Sequence, residues 1–238
     1  TLFNLICMLQ KLKYLKYYSN LLYDNWTQTK ETYAQHGEDV LIEKLFPKGI
    51  RSFIDIGAND GVLFSNTYKF AKSGARGLCV EPSKSAFRKL RLNHLFHKNI
   101  ICLHAAISKQ NGVIFLKEDG YESTLSKVTT EHSRDCTKVQ SKTFDCILKK
   151  YPEFKLIDLL SVDVEGHERE VFDGLKTGNF SAKLIIIESD KSDTDSLLSI
   201  DSLQYYQPLL TNEINTILVN KSYHIPIPKN IPWGFYQC

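Results

Sequence analysis

Short apolar runs alternate with helically spaced ones through the middle of the chain. Strands are expected over 53–56, 77–80 and 100–103, with helices between them over 67–73 and 83–95. That rhythm is the signature of βαβ units, in which a mostly parallel sheet is joined by right-handed crossovers. A second buried pair of strands is expected at 157–162 and 184–187, separated by a helix over 167–175 with Val171, Phe172 and Leu175 facing inward. Between the halves, 113–116 and 138–143 read as short extra strands. Ahead of them, residues 2–33 carry Leu, Tyr and Lys at helical spacing and predict one or two helices packed outside the core. The segment from Tyr33 to Asp39 then leads into a helix holding Val40, Leu41, Leu45 and Phe46, which Pro47 and Gly49 end. The Pro-rich stretch from Ile225 to Pro232 reads as an extended tail, and no repeat or low-complexity tract is present. The expected organisation is a helical extension over 1–32 followed by one α/β domain over 33–238.

Composition agrees with a single core: 238 residues at 42% hydrophobic content suffice to bury one. With 30 Lys and Arg against 27 Asp and Glu the net charge is only +3, which argues against a dedicated DNA or RNA platform. Cys7, Cys79, Cys102, Cys136, Cys146 and Cys238 form no C-x-x-C pair and no metal-finger spacing, so free thiols in a reducing, intracellular compartment are expected. Sequons at Asn25, Asn179 and Asn220 are too short a pattern to change this. No run approaches the roughly 18 apolar residues of a membrane-spanning helix. The chain opens on Thr1, without a methionine, and is expected to be a piece of, or trimmed from, a longer polypeptide.

The segment Asp55-Ile-Gly-Ala-Asn-Asp-Gly61 lies directly between an expected strand and helix. Glycines there let the backbone turn tightly and approach a ligand, and a carboxylate at a strand end can hold a cationic or hydroxyl-bearing group. A dinucleotide fingerprint requires glycine at three spaced positions, but from Gly57 those positions hold Gly57, Asn59 and Val62. Nicotinamide chemistry is thereby disfavoured, while the pattern D-x-G-x-N-x-G resembles the first motif of S-adenosylmethionine methyltransferases. Glu81, at the end of the next strand, is suited to accept both hydroxyls of a ribose; its plainer alternative is to cap the helix starting near Ser83. A third element, Ser161-Val-Asp-Val-Glu-Gly-His-Glu168, crowds Asp163, Glu165, His167 and Glu168 into one strand-to-helix corner. Any of these four is a candidate to orient an acceptor hydroxyl or take its proton, and Glu165 and Glu168 have the alternative of complementing the helix N-terminus.

Taken as an ordered set, Tyr33-x-Gln35-x-Gly-Glu-Asp39, Asp55 to Gly61, Ser65-Asn-Thr67, Val80-Glu-Pro82 and Asp163-Val-Glu-Gly-x-Glu168 resemble the FkbM methyltransferase family, over roughly residues 33–189. The resemblance implies a Rossmann-like, doubly wound, mostly parallel seven-stranded sheet. It also implies S-adenosylmethionine as cofactor, S-adenosylhomocysteine as product and O-methylation of a sugar, a glycan or a related natural product, a deoxysugar such as rhamnose among them. Carried over residue by residue, the loop of Asp55, Gly57, Ala58, Asn59, Asp60 and Gly61 would surround the methionine half, and Glu81 with Pro82 the ribose. Ala105 and Ala106 would flank the adenine, and Ser65, Asn66, Thr67, Gln35, Asp39 and Asp163 would complete the pocket. The block Gly120 to Thr124 is expected as a mobile wall. A hydroxyl is a poor nucleophile at neutral pH, and a positioned base adds a factor of about 10² to 10⁴, with Asp163 or His167 foremost. A divalent ion such as Mg²⁺, shared by Asp163 and Glu188, is a further expectation. The absence of an N-P-P-[YF] run disfavours base N-methylation; ribose O-methylation of RNA and a non-catalytic cofactor-binding module remain alternatives. Acceptor choice is expected from the unmatched ends, including Trp26, Trp233 and Tyr236.

Overall fold

The computed structural model describes residues 19–118, 126–129, 136–189, 191–231 and 234–238. The segment 2–16, the block Gly120 to Thr124 and Trp233 lie outside them. Residues 19–27 are helical (α1). The expected alternation follows as α2 (Glu38–Leu45), β1 (Ser52–Ile56), α3 (Tyr68–Lys72), β2 (Arg76–Glu81), α4 (Lys84–Asn93) and β3 (Ile100–His104). A side sheet is built from β4 (Ala106–Ile107), β5 (Gly112–Glu118), β6 (Ser126–Thr129) and β7 (Cys136–Lys142). The second half contains α5 (Phe144–Lys150), β8 (Leu156–Val162), α6 (Glu168–Asp173), β9 (Ser181–Glu188), α7 (Lys191–Leu197), β10 (Tyr206–Thr211), β11 (Asn215–Asn220) and β12 (Tyr236–Gln237).

The main sheet runs β12-β10-β11-β9-β8-β1-β2-β3. Its β3, β2, β1, β8 and β9 are parallel neighbours, and β11 is antiparallel to both β9 and β10. The expected seven strands are joined by an eighth because the two-residue β12 pairs with Leu210 and Thr211 on the open edge of β10. The hairpin of β10 and β11, and helices α5 and α7, carry no clear period in the sequence; Pro208 interrupts the register of β10. Among the described residues no helix is long and apolar enough to cross a membrane.

Alternation along the strands explains why their sequences read as unbroken apolar runs. In β9, Leu184 and Ile186 belong to the core on one sheet face and Ile185 and Ile187 to the core on the other. In β1, Phe53 and Ile54 divide the same way. Both faces are therefore buried, as a parallel sheet with helical crossovers demands.

Helix α1 is fastened to this core through its C-terminal carbonyls. Lys72 Nζ donates to the carbonyls of Asn25, Trp26 and Gln28 at 2.9, 3.2 and 2.9 Å, and Tyr68 Oη donates to Asn25 at 2.9 Å. A cation on the unsatisfied end of a helix satisfies its orphan carbonyls and complements its dipole. Asn25 also donates to Asn93 Oδ1 at 3.0 Å, and Asn93 in turn to the Asp60 carbonyl at 2.8 Å. Beneath this latch His94 and His97 face each other with Nδ1 atoms 2.9 Å apart, beside the Tyr68 ring. Burial, and then the neighbouring His97, lower the His94 pKa from 6.5 to about 3. Below about pH 6.5 the unfolded chain therefore takes up a proton that the folded chain refuses. The stability this cluster contributes is complete above that pH and drains away as pH falls towards 3. The thermal midpoint is expected to drop across that window, and to drop less in His94→Asn, as read by circular dichroism at a series of pH values.

Candidate functional site

Strand order reverses at β1, with β2 on one side and β8 on the other, so a crevice opens beyond the carboxyl ends of these strands. The β1 exit is shaped by Gly57, at φ +85°, where any Cβ would collide with the Asp163 carbonyl oxygen. Its amide donates to Val80 O at 2.9 Å. Gly61, at φ +79°, lies against Leu90 and His94 in the same way. These two glycines are thus required by close packing of the protein on itself.

The loop positions two carboxylates. Asp55 is buried and accepts from Thr67 Oγ1 at 2.6 Å. Burial raises its pKa to about 6, against the lowering effect of hydrogen bonds from Thr67 and Ser161. Glu81 accepts from Asn59 N at 2.8 Å through Oε2 and from Ser83 N at 2.6 Å through Oε1. Both amides fix its orientation at the end of β2. The helix-cap alternative is realised by Ser83 itself, whose Oγ accepts from Ala86 N.

Across the crevice, Asp163, Glu165 and Glu188 bring their carboxylates within 4.8 Å of one another. Glu165 sits at φ +56° and is followed by Gly166 at +91°, a turn that folds the acidic corner back over the sheet edge. Asp163 keeps exposed surface, yet its pKa is raised well above the usual carboxylate range. Loss of hydration is the first cause, followed by its hydrogen bond to and repulsion from Glu188, then by Glu165 and Asp55. The upward direction stands despite the exposure, since acids at this spacing cannot all ionise freely. A shared proton, or a cation supplied by a ligand, relieves such repulsion.

These groups line a single cavity of about 310 Å³. Of the residues singled out in the sequence, Gln35, Asp55, Gly57, Ala58, Asn59, Ser65, Asn66, Glu81, Pro82, Ala105, Ala106, Asp163 and Glu165 are on its wall, as is Glu188. No Lys, Arg or His is among the described lining residues.

Six others stand off the wall, each with a local task. Asp39 accepts from Thr32 Oγ1 and from the amides of Tyr33 and Val40, bracing the strap ahead of α2. Asp60 Oδ1 holds the amides of Val62 and Leu63. Gly61 packs on α4, and Thr67 supports two wall residues, donating to Asp55 through Oγ1 and to Ser65 Oγ through its amide. Glu168 accepts from the amides of Val164 and Gly166, as a helix-terminus carboxylate does. His167 turns away: its Nε2 meets Ser108 Oγ at 3.0 Å and its Nδ1 meets Glu170 at 3.4 Å.

Sequence reasoning missed Leu63, Phe64, Ile107 and Leu116 on the wall. Leu63 and Phe64 are 50% and 49% exposed, and Phe64 holds φ +57° through a bridge to Ala34. Lone apolar residues read as core from sequence, and nothing in the letters signals that backbone conformation. Gly57→Ala is expected to lower stability by about 4 kcal/mol or more, because backbone must move to admit the methyl group. Thermal or denaturant unfolding checks this.

Among solved structures, the chain is similar to a precorrin-6y C5,15-methyltransferase from Geobacter metallireducens, at 12% identity and TM-score 0.44 over 81% of this chain and 92% of that one. It is also similar to an O-methyltransferase from Bacillus cereus in complex with SAH, at 11% identity and TM-score 0.43 over 89% of each chain. A methyltransferase from Geobacter sulfurreducens is similar at 11% identity and TM-score 0.45 over 78% of each chain. Likenesses this distant decide nothing about chemistry. No curated protein matches the chain in sequence. The family model described as the methyltransferase FkbM domain matches residues 55–218, well over half of the chain, and the chain accordingly belongs to the FkbM family of S-adenosylmethionine-dependent methyltransferases.

Proposed function

We propose that this methyltransferase transfers a methyl group to a hydroxyl of a sugar, a glycan or a related natural product. The observation that carries the reading is the order of groups along one sheet edge. Ala105 and Ala106 follow β3, Glu81 ends β2, Asp55 lies on β1, Asp163 follows β8 and Glu188 ends β9, all on the wall of one cavity. An apolar wall, a ribose acceptor and then a field of acids match adenine, ribose and the cationic end of the donor in sequence. The cavity volume falls within the usual range for small-ligand sites, roughly 300–1,000 Å³.

When bound, S-adenosylmethionine supplies a methyl group on a positively charged sulfur. Ala105, Ala106, Ile107 and Leu116 present the apolar surface on which the base rests. Glu81, fixed by two amides, accepts the ribose hydroxyls without rearrangement. Asp55 and Glu188 set negative potential opposite the donor's charge. The carboxylate of Asp163 accepts the proton of the acceptor hydroxyl as its oxygen attacks. With His167 engaged by Ser108 and Glu170, Asp163 is the better placed of the two expected bases. We assign the donor's cation, not a metal ion, as the partner of the acidic cluster, because the cluster shares its cavity with Glu81. An intracellular setting suits the free thiols of Cys79, Cys102 and Cys146.

Titration calorimetry with S-adenosylhomocysteine, and mass spectrometry of methyl transfer to a panel of deoxysugar glycosides, test the reading together. Glu81→Gln is expected to weaken product binding about 10- to 100-fold. Asp163→Asn should bind product nearly normally and lose a factor of about 10² to 10⁴ in turnover. Turnover should persist in a chelating buffer; its loss would return the cluster to Mg²⁺. Product binding with no transfer to any hydroxyl in the panel would leave a binding module.

The pH dependence has a definite sign. Asp163 must be unprotonated to accept a proton, so turnover is expected to fall as pH drops through a range well above the ordinary Asp value of about 4. Glu188→Gln removes one repelling charge and lowers the Asp163 pKa, so the acidic limb of kcat against pH should move to lower pH. An unmoved limb would exclude Asp163 as the titrating base.

A further inference from the structure

Helix α4 and the turn after it carry a surface that methyl transfer does not use. From residue 83 to 99 the chain holds Lys84, Arg88, Lys89, Arg91 and Lys98, and neither Asp nor Glu. Lys84, Arg88, Arg91 and Lys98 are exposed. In a protein whose net charge is only +3, this is a concentration of one sign. Among these cations Leu92, Leu95 and Phe96 are 42%, 60% and 64% exposed. Single exposed leucines are ordinary, but three large apolar tips within a basic run that holds no acid are not.

The end of α1 extends the same surface. Trp26 packs edge-on against Phe96, with ring centroids 4.7 Å apart, and donates to the Asn93 carbonyl. Tyr23, one helical turn before Trp26, is exposed, as is Leu21. Asp24 is the sole acid of the helix, and it accepts from Gln28. The sequence ahead of α1 has the same bias, with Lys11, Lys13 and Lys16, apolar residues such as Leu2, Phe3 and Leu5, and no acid before Asp24.

We propose that this face docks on an anionic lipid bilayer surface, with Leu92, Leu95 and Phe96 entering the headgroup layer and the flanking Lys and Arg side chains against lipid phosphates and carboxylates. Lipid is favoured over nucleic acid by the composition of the tips. A polyanionic strand uses the cations and stacks on Phe96 or Tyr23, but it leaves Leu92 and Leu95 in water, whereas an interface uses both kinds of group. Attachment of this kind lies on the membrane and needs no spanning helix.

The test is flotation of the full chain with vesicles of phosphatidylcholine alone and of phosphatidylcholine mixed with phosphatidylserine, at low and high salt. The expected result is binding to the mixed vesicles at low salt, about tenfold or more stronger than to the neutral ones, and its loss at high salt. Leu92→Glu with Leu95→Glu, and separately Arg88→Glu with Arg91→Glu, should each weaken that binding about tenfold or more while leaving the thermal midpoint unchanged. Absence of binding, or equal binding to neutral and anionic vesicles, overturns the proposal. So does binding that neither α4 variant weakens, which would place the contact elsewhere, and so does capture by single-stranded RNA without capture by vesicles.

Discussion

The site depends on one close approach, that of the β1 exit to the backbone of Asp163. Strand β1 is buried on both faces between β2 and β8, and its chain leaves the sheet at a point where only a hydrogen atom fits on Cα. Because the strands on either side are parallel, their carboxyl ends open on the same edge. Asp55, Glu81 and Asp163, distant in sequence, are neighbours there for reasons of sheet geometry alone.

The acids of this chain divide by how their charge is balanced. Asp158 is buried at the amino end of β8; burial would raise its pKa, but Lys183 at 2.7 Å and Arg51, by amide and guanidinium, outweigh that and lower it. Glu38 is satisfied by Asn215 and the His36 amide, and Asp39 by its own strap. Burial raises Asp39 too, against hydrogen bonds from Thr32 and the amides of Tyr33 and Val40; around the cavity Asp55 and Asp163 are pushed upward and no cationic side chain is among the described lining residues. Perturbed carboxylates gathered in a cleft are the usual mark of a site whose charge balance is completed by what it binds. Asp158 has cationic partners, whereas Asp55 and Asp163 have only neutral or acidic ones.

Much of this was legible in the letters, for physical reasons. Strands buried on both faces must be apolar at every position, so β1, β2, β8 and β9 announce themselves, and the carboxylates that interrupt them at their ends stand out. What the letters could not supply was direction. His167 and Glu165 lie in one short turn, and two consecutive positive φ values, at Glu165 and Gly166, decide that Glu165 reaches the cavity while His167 meets Ser108. Asp39 enters the expected pocket through the family resemblance, and its partners within the chain are Thr32 Oγ1 and the amides of Tyr33 and Val40. The hairpin of β10 and β11 was missed because tertiary pairing to β9, not local pattern, makes it a sheet.

The anchorage of α1 reaches further than the helix itself. Lys72 and Tyr68 belong to α3, whose leading turn is formed by Ser65, Asn66 and Thr67, and Tyr33 packs edge-on against Tyr68 just before the Ala34 bridge to Phe64. The helix, the strap and the rim of the cavity thus form one mechanical chain. The region that looks most like an appendage in the sequence is a buttress, and a force applied to it is delivered to the residues around the cavity.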